Sequence, residues 1–186
     1  MNSAPIPKSD PPIRLGISSC LLGHEVRYDG GHKWDQYLVE VTGPQVEWVP
    51  ICPEVEIGLG VPRPTIQLEG NSSNPRLIMP STGDDLTGTM ETYAREKVRE
   101  LQTLGLDGFV FKSKSPSCGM EHIKVFNQEG VAEENGVGAF ARILMEMWPD
   151  LPVEDEARLN DPALRDRFVE QISRNHHRRR RSSVQM

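Results

Sequence analysis

Short apolar runs alternate with helical patterns along most of this chain. Three runs predict buried strands, at residues 14–19 (RLGISS), 47–51 (EWVPI) and 107–112 (DGFVFK). Apolar residues recur at helical spacing over residues 86–104 and again over residues 137–147. Each of these two segments therefore predicts an amphipathic helix that packs against the strands.

Strands that alternate with helices favour a parallel sheet, because each crossover places a helix on a face of the sheet. We therefore predict a doubly wound, mostly parallel α/β fold with flanking helices, of the Rossmann-like type. Pro50 favours an edge position for its strand, since proline has no N–H for the ladder. Asp161 followed by Pro162 predicts the start of a final helix. Further short elements are predicted at residues 34–41 (helix) and at 66–68, 76–79, 123–126 and 151–153 (extended).

The length of 186 residues is enough for one domain with a substantial core. We expect a disordered lead at residues 1–12, one folded domain at 13–174 and a flexible basic tail at 175–186. The net charge of −6 gives no general attraction to nucleic acid. A short basic run is usually a solvated chain end, but it can contact RNA phosphate. That run is Arg178, Arg179, Arg180 and Arg181.

The sequence gives no sign of a membrane partner. No apolar run approaches the roughly 18 residues that a membrane-spanning helix needs. The N-terminal segment MNSAPIPKSDPP lacks the apolar stretch of a secretory signal. We therefore expect a cytoplasmic protein, in which thiols stay reduced.

Three cysteines share one kind of position. Cys20 follows the first strand, Cys52 the second, and Cys118 lies just beyond the third. Ligands of open α/β sheets bind outside the carboxyl ends of the strands, so we expect the three thiols to converge there. The alternative is three unrelated buried cysteines, which are common in protein cores. An odd number of dispersed cysteines argues against a disulfide framework.

Position alone does not choose the metal. A structural zinc site takes four ligands, and His24, His32 or His122 could complete a Cys₃His set. A 4Fe-4S cluster usually takes four cysteines. With three, one iron would stay open as a Lewis acid for a soft donor such as sulfur.

Residues beside the cysteines supply candidate chemistry. Glu54 could act as an acid or base, or it could be an exposed loop residue. Ser115 and Ser117 could donate hydrogen bonds to a substrate or only to their own turn. Asp29 lies in a predicted turn and could reach a polar ligand. Arg63 could hold an anion or brace the rigid loop GLGVPRP.

Six motifs occur in a family order along residues 13–168. They are SSCLLG (18–23), VRYDGGHK (26–33), CPEVEIGLGVPRP (52–64), KSPSCG (114–119), GVGAFA (136–141) and LPVEDEARLNDPALRDRF (151–168). Together they resemble the thiouracil desulfidase (TudS-like) family.

The resemblance implies a 4Fe-4S cluster on Cys20, Cys52 and Cys118, with one iron not bound by the protein. It also implies a non-redox reaction that converts C=S to C=O on a thiolated pyrimidine and releases hydrosulfide. Residues 13–174 would then form the iron–sulfur desulfidase domain. By resemblance Glu54 and Ser117 are the catalytic residues, with Ser115 as the competitor for the role of Ser117.

The expected substrate is a small thiolated nucleobase or nucleoside, of the thiouracil or thiouridine type, with Asp29 and Ser115 as predicted contacts. Some relatives carry a second C-terminal domain and act on thiolated uridine in tRNA, whereas the arginine-rich tail departs from that pattern. Two other functions remain open. One is an iron–sulfur redox or sensor protein, and the other is a non-catalytic RNA-binding accessory.

Overall fold

The computed structural model describes Ser9 and residues 11–184, so most of the predicted lead at 1–12 lies outside the described residues. The strands are β1 (Ile13–Ser18), β2 (Val46–Ile51), β3 (Gln67–Glu69), β4 (Arg76–Met79), β5 (Asp84–Asp85), β6 (Gly108–Phe111), β7 (Ile123–Phe126), β8 (Ala132–Gly136) and β9 (Val153–Asp155). The α-helices are α1 (Pro53–Glu56), α2 (Thr87–Leu104), α3 (Ala139–Met147) and α4 (Pro162–Val184).

The central sheet has four parallel strands in the order β2-β1-β6-β9. Its β1 strand pairs with β2 from Ile13 opposite Val46 to Ser18 opposite Ile51. Pro50 lies in β2, an edge strand of this sheet, as its missing N–H predicted. The predicted α/β fold with a parallel sheet and flanking helices is therefore confirmed.

Helices cover both faces of this sheet. Phe109 and Phe111 point into a core formed with α2 and α3, whereas Val110 between them points toward α4. This alternation is the two-residue period of a strand that is buried on both faces. Helix α2 ends where predicted, since Gly105 adopts the left-handed conformation with φ of 71°.

A second sheet, in the order β5-β4-β3-β7-β8, was not predicted. Its pairs are antiparallel except for β3 with β7, which is parallel. The sequence predicted several of its strands as isolated extended pieces but missed β8 (AEENG), whose three central residues are exposed and polar. Pairing with β7 fixes β8, and Gly136 packs so closely on Val125 that a Cβ there would lie 2.5 Å from the valine side chain. The short helix predicted at residues 34–41 is a π-helical turn, Tyr37–Thr42.

The C-terminal prediction needs a correction. Asp161 caps α4 as predicted, because its Oδ1 accepts the Ala163 N–H at 2.8 Å. However, α4 continues to Val184, and Asn175 and His176 are buried rather than part of a flexible tail. The buried carboxylate of Asp107 holds this segment, 3.0 Å from His176 Nδ1 and 3.1 Å from Arg179 Nε. A buried charge needs such partners, and the last turns of α4 supply them. Within the described residues, no helix is long and apolar enough to cross a membrane.

Candidate active site

The three cysteines line one cavity at the carboxyl edge of the central sheet. Cys20 lies in the 3₁₀ turn Ser19–Leu22 that follows β1, and Cys52 is the N-cap of α1 directly after β2. Cys118 belongs to the loop after β6. All three border a cavity of about 360 Å³. The convergence is that expected for neighbouring parallel strands, and metal binding by the three residues stays a prediction.

The thiols of this cavity are poorly hydrated. Burial raises the pKa of Cys20 from 9.0 to about 11, and the cation of Lys112 only partly offsets this. Burial also raises the pKa of Cys52. Burial raises the pKa of Cys118 well above its usual range, although a hydrogen bond with Ser18 partly lowers it. The metal-free thiols therefore stay protonated at neutral pH, and any metal bound here must displace their protons.

Glu54 lies on the same cavity wall and both of its carboxylate oxygens are held. Its Oε1 accepts the Ser117 hydroxyl at 2.9 Å. Its Oε2 accepts two N–H groups of Arg63, at 3.0 Å from Nε and 2.7 Å from Nη2. The structure thus brings the predicted acid–base residue and one predicted serine together beside the cysteines.

The two serines differ in position. Ser115 borders the cavity, and its Oγ accepts the N–H of Cys118 at 3.0 Å. Ser117 is fully buried and contacts the carboxylate from behind the wall formed by Ser115, Pro116 and Cys118. Ser115 is therefore the serine that a ligand in the cavity would meet, whereas Ser117 acts on Glu54.

Asp29 lies on an exposed turn rather than in the cavity wall. Its Oδ1 accepts the Gly31 N–H at 3.0 Å, and this hydrogen bond lowers the pKa of Asp29. Its neighbours Arg27 and Tyr28 do border the cavity. The structure does not bring Asp29 to Glu54, and its substrate contact stays a prediction.

Sequence reasoning missed a second polar group of the cavity wall. Lys112 pairs with Glu156, whose Oε2 accepts the N–H of Ser113 at 2.7 Å. The N–H of Lys112 in turn reaches Ser18 Oγ at 2.9 Å. Each of these residues stands at or just after the carboxyl end of a buried strand, and that position is the signal that could have found them.

Two of the three histidines considered as zinc ligands have other surroundings. Among the described residues, no three His, Cys, Asp or Glu side chains are arranged to hold one metal ion. Of the histidines considered, His122 borders a different cavity, and His32 Nδ1 accepts the N–H of Trp34 at 3.1 Å. Thiolates bind both zinc and iron–sulfur clusters, and in a cluster each thiolate binds a different iron.

The structure is that of an α/β protein with a cysteine-lined cavity. Comparisons with known proteins identify its family. A family model described as 2-thiouracil desulfurase matches residues 15–156. The chain belongs to the 2-thiouracil desulfurase family and is an enzyme of the desulfidase type. The resemblance drawn from the six motifs is thereby confirmed.

Two individual proteins illustrate the match. One is a solved structure named as the [4Fe-4S]-dependent thiouracil desulfidase TudS. It is 30% identical, with a TM-score of 0.66, and the similarity covers 82% of this chain and 96% of that one. The other is the uncharacterized protein YbbK of Bacillus subtilis (strain 168), 28% identical over 108 residues, which span 55% of this chain and 71% of the relative.

Proposed function

We propose that this enzyme holds a 4Fe-4S cluster on Cys20, Cys52 and Cys118 and removes sulfur from a thiolated pyrimidine of the thiouracil or thiouridine type. The reaction converts C=S to C=O without net oxidation or reduction and releases hydrosulfide. One observation carries the proposal: three free cysteines from three strand ends border a single cavity together with Glu54. The family and the [4Fe-4S]-dependent similar structure support it.

The three cysteine thiolates suit a 4Fe-4S cluster. Thiolates are soft ligands that favour iron–sulfur clusters. A cluster bound through three cysteines has one iron without a protein ligand, and such an iron is a Lewis acid for a soft thione sulfur. Cluster binding needs the three cysteines as free thiols, and thiols stay reduced in the cytoplasm. We therefore propose a cytoplasmic location.

Glu54 is the proposed proton acceptor. Water attacks the ring carbon that carries sulfur, and Glu54 Oε1 takes one of its protons. The second water proton passes to sulfur as the C–S bond breaks, so the water oxygen becomes the carbonyl oxygen and sulfur leaves as hydrosulfide. Arg63 fixes Oε2 during this transfer, while the hydroxyl of Ser117 orients Oε1.

Ser115 is the proposed substrate donor. Its hydroxyl borders the cavity, and its oxygen already accepts the N–H of Cys118, so its own proton remains to donate to a ring heteroatom. Asp29 would contact the substrate only if its turn moved toward the cavity. We therefore rank Ser115 above Asp29 as a binding residue.

RNA contact through Arg178 to Arg181 is a separate proposal. Arg179 lies beside Asp107, which precedes β6, whereas Cys118 follows the opposite end of that strand. The arginine-rich surface therefore lies at the amino edge of the central sheet, away from the cavity. An RNA bound to these arginines would lie far from the cavity. This separation favours a small molecule as the substrate.

Sulfide release tests the proposed reaction. Anaerobically purified protein is incubated with 2-thiouracil and 4-thiouracil, and sulfide and uracil are measured together. We expect equimolar uracil and sulfide without added reductant or oxidant. A protein that keeps a redox-active cluster yet forms no uracil would instead support the redox or sensor function.

A further inference from the structure

Arg63 contacts residues outside its own loop, including the Glu54 carboxylate and the carbonyl of Val26. Its side chain is only 3% exposed, although it borders the cavity. Its guanidinium donates to groups in three segments of the chain. These are Glu54 Oε2, the carbonyl of Gly60 at 2.8 Å and the carbonyl of Val26 at 2.9 Å.

The hydrogen-bond donors of Arg63 are largely used. A guanidinium has five N–H groups, and the contacts to Glu54, Gly60 and Val26 engage four of them. Little capacity is left for a substrate anion. Of the two roles that the sequence allowed, holding an anion or bracing the loop, the geometry supports bracing.

The braced group is the carboxylate that the proposed reaction uses. Two donors of Arg63 converge on Oε2, and Ser117 holds Oε1, so rotation of the carboxylate is blocked from both sides. The same arginine reaches the cysteine side of the cavity, because Val26 O also accepts the Cys52 thiol at 3.7 Å. One buried side chain thus links the Glu54 helix, the segment around Val26 and the loop that carries Arg63.

We infer that Arg63 is a positioning residue, which holds Glu54 in the orientation needed for proton transfer and does not bind the substrate. The inference rests on the proposed role of Glu54. Lysine cannot replace the planar fork of arginine here, since one ammonium cannot reach Oε2 and both carbonyls with the same geometry. Charge alone is therefore not sufficient at this position.

The test compares Arg63→Lys and Arg63→Gln with the parent enzyme, each also in a Glu54→Gln background. A misplaced catalytic group costs on the order of 100-fold in rate, so we expect kcat to fall about 10- to 100-fold with KM within about twofold. In the Glu54→Gln background the same changes should cost less than about twofold, because residues that act through one another are not additive. Added guanidinium ion should restore part of the kcat of Arg63→Ala. Arg76→Lys, at an exposed arginine on β4, is the matched control and should leave both constants unchanged.

Iron content and melting temperature are recorded for every variant, so that loss of the cluster is separated from loss of positioning. A raised KM with unchanged kcat in Arg63→Lys would assign Arg63 to substrate binding and overturn the inference. An equal loss in the two backgrounds would also overturn it, since Arg63 would then act independently of Glu54. If Glu54→Gln is slow while the Arg63 variants match the parent, the inference fails and the proposed function stands. If Glu54→Gln itself matches the parent, the proposed role of Glu54 fails.

Discussion

Replacing Glu54 by glutamine removes the proposed proton acceptor and keeps the size and shape of the side chain. The glutamine carbonyl can still accept from Arg63, and its amide can donate to the oxygen of Ser117. The variant also leaves the buried Arg63 guanidinium without its counter-charge, and breaking a buried pair in this way costs about 3–5 kcal/mol. We therefore expect a lower melting temperature, and each activity is compared at a temperature at which the variant is folded.

The loss of turnover has a different cause from the loss of stability. Proton transfer by a positioned side chain contributes about 10²- to 10⁴-fold, so Glu54→Gln should lower kcat by about 100-fold or more. A factor of 100 corresponds to about 2.7 kcal/mol in the activation free energy. Arg63 and Ser117 would still orient the side chain, so the loss is assigned to the missing proton acceptor.

The assay measures sulfide released from thiouracil under anaerobic conditions, with iron content determined on the same samples. Glu91→Gln is the matched control, because Glu91 also pairs with an arginine, Arg142 at 2.9 Å, but on α2 and outside the cavity wall. The control should keep the parent rate. If Glu54→Gln with full iron content releases sulfide at the parent rate, the acid–base role is wrong, and Asp29 becomes the next carboxylate to test.

The remaining predictions concern the serines, the C-terminal helix and pH. Ser117→Ala should slow turnover more than Ser115→Ala, because it frees one oxygen of the Glu54 carboxylate, and kcat for both variants checks this. Deleting residues 175–186 should lower the melting temperature clearly, since it removes the two side-chain partners of the buried Asp107 carboxylate, His176 and Arg179, and leaves the Arg14 N–H; an unchanged melting temperature would show that these contacts do not hold α4 in place. Because folding raises the pKa of Cys20 from 9.0 to about 11, the unfolded chain loses this proton first as pH rises, and the stability of the metal-free protein should fall between those values. Melting curves of the metal-free parent and Cys20→Ser at pH 8 and 10.5 check the sign, and an equal drop in both would count against it.

Strand ends were the part of the site that the sequence could predict. Cys20, Cys52 and Cys118 each follow an apolar run, and parallel strands place such positions at one edge of the sheet. That rule needs only the order of elements and the direction of the strands. It is general enough to apply before any contact is known.

The contacts of Glu54 could not be predicted in the same way. Ser117 lies 63 positions from Glu54 in the chain, and Arg63 contacts Glu54 from a separate loop. Whether a serine faces the cavity or the carboxylate depends on how its turn packs, and Ser115 and Ser117 are too close in sequence for a pattern to separate them.

Two errors in the fold have physical causes. The β8 strand has no alternating apolar pattern because its exposed face is polar and its neighbour β7 supplies the pairing. The run of arginines in the last turns of α4 is typical of a solvated chain end, and the sequence therefore predicts a tail there. These turns contact Asp107, a buried carboxylate whose partners cannot be recognised from the basic run alone.

The proposed 4Fe-4S cluster on three cysteines is tested by the iron and acid-labile sulfide content of protein purified without oxygen, together with its absorption spectrum. We predict brown protein with about four irons per chain, and a reduced or abolished iron content in each of Cys20→Ser, Cys52→Ser and Cys118→Ser. Protein that stays colourless after reconstitution with iron and sulfide, and instead retains stoichiometric zinc, would contradict the proposed cluster.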